Sequence, residues 1–325
     1  MKHVVLIFTG GTIGMKIDQN AHGVIPSLTP NEIIHALTGI EEYPNLIVHE
    51  FSRKPSPSIT PKDMQSLATL VQDYLNRDDV AGAIVIHGTD VLEETAFYLH
   101  CVVQSRKPVV LTGSMKNASE FGYDGVTNLV SSIKVCYADD SMGKGTLVVM
   151  NDTINSAIEV TKTHTMSLDT FKSIEFGPLG IIDQGEVIYY RDVTHFKTYN
   201  LDNNINDDTY LLKAYAGMTG DYIQHLVNKQ ARGIVIESLG RGNLPPQTMD
   251  ALDEALHAEV FVVIVSRCYS GRVLDTYAYE GGGRDLTNRG CILGGSFNGQ
   301  KARILLMLAI SNNYTYDDIV NLFEL

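Results

Sequence analysis

The stretch AIVIHGTDVLEETAFYLHCVV, residues 83–103, reads as a buried strand, a polar turn and a helix in immediate succession. Ala83 to Ile86 is apolar on successive rather than alternate residues, which suits a strand covered on both faces of a parallel sheet. From Val91 to Val103 the apolar residues recur instead at the helical spacing of roughly 3.6. Val4 to Phe8, Val109 to Leu111, Leu147 to Val149, Ile234 to Ile236 and Val260 to Val265 are further runs of the first kind. Pro245 to His257 and the segment from Lys301 to Ile310 repeat the second. Strand and helix alternating in this way predict an α/β protein of two doubly wound domains, a larger N-terminal parallel-sheet domain and a smaller C-terminal one.

The length agrees, since 325 residues at roughly 150 per domain give two cores. Between them the stretch YNLDNNINDD, residues 199–208, is rich in turn-forming Asn and Asp. The predicted division is a domain over 1–190, a linker over 191–210 and a second domain over 211–325. With 44% hydrophobic residues, global disorder is excluded. A balance of 38 acidic against 25 basic side chains, a net charge of −13, argues against nucleic acid and anionic membrane as partners. Cys101, Cys136, Cys268 and Cys291 include no CxxC pair, so they read as reduced thiols rather than a disulfide framework. The apolar run Val4 to Phe8 is too short for a signal-peptide core of ~7 to 15 residues. No apolar stretch approaches the ~18 residues of a membrane helix. A soluble, cytoplasmic protein is expected.

In open α/β sheets ligands bind beyond the carboxyl ends of the strands, so the residues following each apolar run mark the site. Those residues are TGGTIG (9–14), HGTD (87–90), TGSMK (112–116) and Asn151-Asp152. TGGTIG lacks the GK[ST] ending of a phosphate loop, and Thr9 stands where a dinucleotide fingerprint needs glycine. What remains is a tight turn that presents Thr12. Thr12 reads either as a polar turn residue or as a nucleophile with backbone N–H groups nearby as oxyanion donors. Asp90 and Glu93 have capping-box spacing, so Asp90 reads either as a helix cap or, beside Thr89, as part of a proton relay or an ammonium site. Lys162, in EVTKTHT, is either a solvated lysine or a cation that makes a neighbouring hydroxyl more acidic. There is no HExxH, no paired metal-ligand spacing and no GxSxG.

TGGTI near the N-terminus, HGTDVLEETA near residue 90 and VTKTHT near 162 together resemble the bacterial-type L-asparaginases. The likeness continues through GNLPP (242–246) and GQKARILL (299–306), so it spans essentially the whole chain. It implies a hydrolase that converts L-asparagine to L-aspartate and ammonia through a threonine-linked acyl-enzyme, without metal or organic cofactor. Carried over, it makes Thr12 the nucleophile, Thr89, Asp90 and Lys162 the second catalytic group, and Gly11 and Thr89 the sources of backbone donors. Asp90 would pair with the substrate ammonium. Ser56 in PSPSIT (55–60) would bind its carboxylate, with Pro57 limited to backbone contact. Asn243 in GRGNLP and Glu280 in YAYEGGG would be second-domain contacts. The resemblance further implies a homodimer or homotetramer whose sites lie between one subunit's large domain and its partner's small one.

The chain departs from the family pattern in two places. Many members carry an activating tyrosine in the loop after GGTI, whereas NAHGVIP (20–26) places Val24 there and no tyrosine occurs between Thr12 and Glu42. Cys268 in SRCYSG resembles a cysteine near the effector site of some relatives, but Glu237 stands where an effector-binding arginine belongs. The resemblance therefore names no base for Thr12 in this chain. Two other functions are alternatives for such a chain, a catalytically silent amino-acid sensor and an amidotransferase subunit that delivers ammonia to an aminoacyl-tRNA.

Overall fold

A computed structural model of the chain describes residues 2–18, 23–26, 28–35, 45–193, 199–200 and 204–324. The chain divides into two compact units, Met1–Leu201 and Asp202–Leu325. Of the expected linker, residues 194–198 and 201–203 lie outside the described residues.

The first unit opens with β1 (His3–Phe8), β2 (Met15–Asp18), β3 (Gly23–Pro26), α1 (Pro30–His35) and β4 (Leu46–Glu50). It continues through α2 (Pro61–Leu75), β5 (Val80–Ile86), α3 (Leu92–Val102), β6 (Val109–Thr112), α4 (Gly125–Tyr137) and β7 (Thr146–Met150). Five short strands follow: β8 (Thr153–Ser156), β9 (Thr161–Lys162), β10 (Phe171–Lys172), β11 (Gly180–Asp183) and β12 (Glu186–Tyr189). The main sheet has the order β12-β11-β8-β7-β6-β5-β1-β4. Its β4-β1-β5-β6-β7 part is parallel, as the continuous apolar runs require: Val4, Val5, Leu6 and Ile7 are each fully buried, so both faces of β1 are covered.

The remaining strands, β8, β11 and β12, run antiparallel to their neighbours, so the sheet is mixed. The reason lies in Asn151-Asp152. Both residues adopt positive φ, 50° and 54°, which is the geometry of a two-residue type I′ hairpin, and the chain folds straight back from β7 into β8. Gln184 and Gly185, at φ 46° and 88°, repeat the device between β11 and β12. Asn151 and Asp152 are therefore hairpin residues; Asn151 N–H donates to Asn128 (2.9 Å) and Ser131 Oγ to the Asp152 carboxylate (2.9 Å).

The second unit carries β13 (Thr209–Lys213), α5 (Asp221–Asn228), β14 (Gly233–Ser238), α6 (Met249–His257), β15 (Phe261–Ser266), α7 (Gly283–Arg289), β16 (Ile292–Leu293), α8 (Gly299–Ser311) and α9 (Tyr316–Phe323). Its sheet, β13-β14-β15-β16, is parallel throughout. Ile234, Ile236, Val262 and Ile264 bury one face under residues of α5 and α6, while α8 packs on β13, β14 and β15. Cys101, Cys136 and Cys291 are buried free thiols and Cys268 is exposed. Among the described residues, no helix is long and apolar enough to cross a membrane, and no three His, Cys, Asp or Glu side chains gather into a metal-holding group.

Candidate active site

The register of the first sheet brings three of the loops to one edge. Phe8 at the end of β1 faces Ile86 at the end of β5, and Ile86 faces Thr112 at the end of β6. After β1 the chain crosses to β4 on one side and then to β5 on the other, so TGGTIG and HGTD flank the point where strand order reverses. That is where open α/β sheets form a crevice.

The turn after β1 is fixed by its backbone. Thr9 N–H and hydroxyl both donate to the Ile86 carbonyl (3.0 and 3.1 Å), and the Thr9 carbonyl accepts from Ser52 Oγ (2.6 Å) and Lys54 N–H (3.0 Å). Gly11, at φ 92°, rests directly on Gly88; a Cβ there would lie 2.5 Å from the Gly88 nitrogen. The glycine is needed for this close approach of two loops rather than for a phosphate. Thr12 then opens a short 3-10 turn to Gly14 and is partly exposed. Among the described residues its hydroxyl has no hydrogen-bond partner, and neither do the backbone N–H groups of Gly11 and Thr89.

The turn after β5 carries the densest polar arrangement. Thr89 is buried, 8% exposed, and its hydroxyl accepts from Lys162 Nζ at 3.0 Å. The same ammonium donates to Asp90 Oδ1 at 2.9 Å. Asp90 does not cap the helix: the N-cap of α3 is Val91 and has no side-chain hydrogen bond, so the capping alternative is overturned. Asp90 N–H instead donates to Ser56 Oγ (3.2 Å), and Ser56 is buried beneath Gly88. Because its oxygen already accepts from Asp90, the Ser56 hydroxyl keeps its own proton for a further acceptor. Pro57 is exposed on the same 3-10 turn, Ser56–Ser58.

Lys162 reaches this edge on the β9–β10 hairpin, where it pairs with Phe171. The hairpin is held at its base by Arg191, which bridges the Glu159 carboxylate and donates to the Gly177 carbonyl (2.5 Å). Asn155 adds bonds from below, accepting from Ser173 Oγ at 2.9 Å. With a side chain only 16% exposed, Lys162 is a placed cation and not a solvated one. The hub of the loop after β6 is Asp124, which sequence reading passed over; it accepts from Ser114 Oγ, Met115 N–H, Lys116 N–H and Asn128 Nδ2 within 3.0 Å. The i, i+4 spacing of Asp124, the N-cap of α4, and Asn128 within the helix was the available signal.

In the second unit, Asn243 and Glu280 fall on two loops tied together by the Leu244 N–H bond to the Gly281 carbonyl (2.8 Å). Asn243 Oδ1 is buried without a hydrogen-bond partner among the described residues, and Glu280 is exposed. Val24 lies in β3, opposite Ile17 of β2.

His87 underlies the site. It is fully buried, with Nδ1 2.7 Å from the Gly88 carbonyl and Nε2 3.1 Å from Thr95 Oγ1, so Nδ1–H donates and Nε2 accepts. Burial pushes its pKa down to about 4. The folded state therefore resists protonation while the unfolded chain takes up a proton near pH 6.5. Stability is fully present above pH 6.5 and falls by about 3 kcal/mol as pH drops toward 4. Denaturant titrations at a series of pH values check this; His87→Gln removes that part of the slope, and an equal slope in both proteins would refute it.

The N-terminal asparaginase family model matches residues 3–195, and the C-terminal glutaminase/asparaginase model matches residues 209–323. A probable L-asparaginase of Deinococcus radiodurans is 35% identical over 330 aligned residues, covering 99% of this chain and 97% of that protein. An L-asparaginase of Bacillus licheniformis is 32% identical and covers 96% of each chain. The crystal structure of a probable cytoplasmic L-asparaginase from Campylobacter jejuni superposes with a TM-score of 0.89 at 28% identity, covering 99% of both chains.

Proposed function

Because the chain belongs to the asparaginase family, we propose that it is an L-asparaginase, an amidohydrolase that converts L-asparagine and water to L-aspartate and ammonia. The observation that carries this reading is the single ammonium of Lys162 donating to both Thr89 and Asp90, beside the Gly11–Gly88 contact that carries Thr12. The Thr12 oxygen attacks the side-chain amide carbon, and the Gly11 and Thr89 N–H groups receive the oxyanion. The carbon–nitrogen bond breaks as the nitrogen gains the proton given up by the Thr12 hydroxyl and leaves as ammonia. Water then splits the resulting ester, restoring the Thr12 hydroxyl and releasing the β-carboxylate.

Lys162 holds the Thr89 hydroxyl in a more acidic state, which suits Thr89 for passing protons to and from the reacting groups. The exposed Asp90 carboxylate receives the substrate ammonium, and the Ser56 hydroxyl donates a hydrogen bond to the substrate α-carboxylate, while Pro57, which has no N–H, offers contact without a hydrogen bond. Asn243 and Glu280 contact substrate from a neighbouring subunit of a homodimer or homotetramer. Cytoplasmic residence belongs to the same reading.

Ammonia release measured with L-asparagine, L-glutamine and D-asparagine tests it. L-asparagine is expected to turn over fastest, with weaker release from glutamine. Binding of L-asparagine without any release would sink the hydrolase reading in favour of a sensor.

A further inference from the structure

The turn that presents Thr12 is not held by its own bonds alone. Within it, Gly14 N–H donates to the Gly11 carbonyl (3.2 Å) and Met15 N–H to the Thr12 carbonyl. From outside, the loop between β6 and α4 adds two more ties. Ala118 N–H donates to the Met15 carbonyl (3.1 Å), and Tyr123 Oη donates to the Ile13 carbonyl at 2.8 Å, across 110 residues of sequence. Ile13 is the middle residue of the Thr12–Gly14 turn and is itself fully buried, so the phenol grips the turn one residue beyond Thr12.

The rest of the loop is arranged to hold that phenol in place. Asp124, next in the chain, is locked by its four donors. The ring of Tyr123 lies against Gly125, the first residue of α4, where a Cβ would come within 2.5 Å of the ring carbon Cζ. Any side chain at residue 125 would displace the ring from the path to Ile13. Burial raises the Tyr123 phenol above its ordinary range, so the hydroxyl stays protonated and remains a donor at neutral and moderately alkaline pH.

We propose that Tyr123 is a positioning residue for Thr12: its hydrogen bond to the Ile13 carbonyl sets the Thr12–Gly14 turn in the orientation that directs the Thr12 hydroxyl at the substrate amide. The proposal rests on the reading of Thr12 as nucleophile. Reactivity depends steeply on such alignment, a displacement on the order of 1 Å being worth about a hundredfold in rate.

Tyr123→Phe keeps the ring and removes only the donor. Its kcat for L-asparagine is expected to fall about tenfold with KM within about twofold, and melting should shift by no more than a few degrees. Gly125→Ala keeps the phenol but pushes the ring aside, and should reproduce the same split between kcat and KM. A merely structural tyrosine would lower the melting temperature and leave kcat per folded enzyme unchanged. Native turnover beside an unimpaired kcat in Tyr123→Phe overturns this proposal alone. Native enzyme that releases no ammonia overturns the hydrolase reading, and this proposal with it.

Discussion

Thr12→Ala is expected to lose ammonia release from L-asparagine by on the order of 10⁴-fold or more in kcat, the scale seen when a covalent nucleophile is removed. The fold should survive the change. Thr12 is partly exposed, and among the described residues its hydroxyl supports no other group, so truncation leaves none of them with an unsatisfied partner. Alanine also keeps the backbone that closes the turn, the Met15 N–H bond to the residue 12 carbonyl. The variant should therefore melt within a few degrees of the native protein and still bind L-asparagine through Asp90 and Ser56. Steady-state ammonia release with calorimetric binding on one preparation checks both halves. Turnover within tenfold of native would remove Thr12 from the role of nucleophile.

Lys162→Met is the second large effect. Methionine fills nearly the same length in the β9–β10 hairpin but donates no hydrogen bond, so Thr89 and Asp90 lose their shared donor together. Removal of one preorganised charged donor from such a site typically costs about 10² to 10³ in kcat. The loss should fall on kcat rather than KM. Asp90, with a side chain 60% exposed, keeps its contact with water without the lysine, so substrate binding through it is expected to persist. Lys162→Arg is not expected to rescue fully, because a planar guanidinium cannot place one point charge on both oxygens in the same way. A tenfold or larger rise in KM with unchanged kcat would instead make Lys162 a binding residue.

The two variants probe different kinds of information. The strands that carry Thr12 and Thr89 announce themselves as uninterrupted apolar runs because β1 and β5 are covered on both faces, and a residue just beyond such a run has little choice but to sit at the sheet edge. Asp90 was harder to place. Its spacing to Glu93 fits a cap as well as a ligand, and only a lysine 72 residues away and a serine 34 residues away decide between them. Asn151-Asp152 follows an apolar run just as the site loops do, yet positive φ at both residues turns it into a hairpin. The shape of the apolar runs carries no record of that difference, although the Asn-Asp pair is compatible with it.

From its sequence alone this chain determines two α/β units, a polar strand-end edge in the first, and, through TGGTI, HGTD and VTKTHT, the family to which the edge belongs. These are local properties: burial on both faces writes itself into consecutive residues, and close loop contact writes itself into glycine. The tertiary structure alone decided that Lys162 serves Thr89 and Asp90 at once, that Ser56 is bonded to the Asp90 backbone, and that Tyr123 reaches back to Ile13. Those contacts join residues between 34 and 110 positions apart. Their existence depends on sheet register and on how Arg191, Asp124 and Gly125 shape the intervening loops, and neither follows a periodicity that a sequence can display.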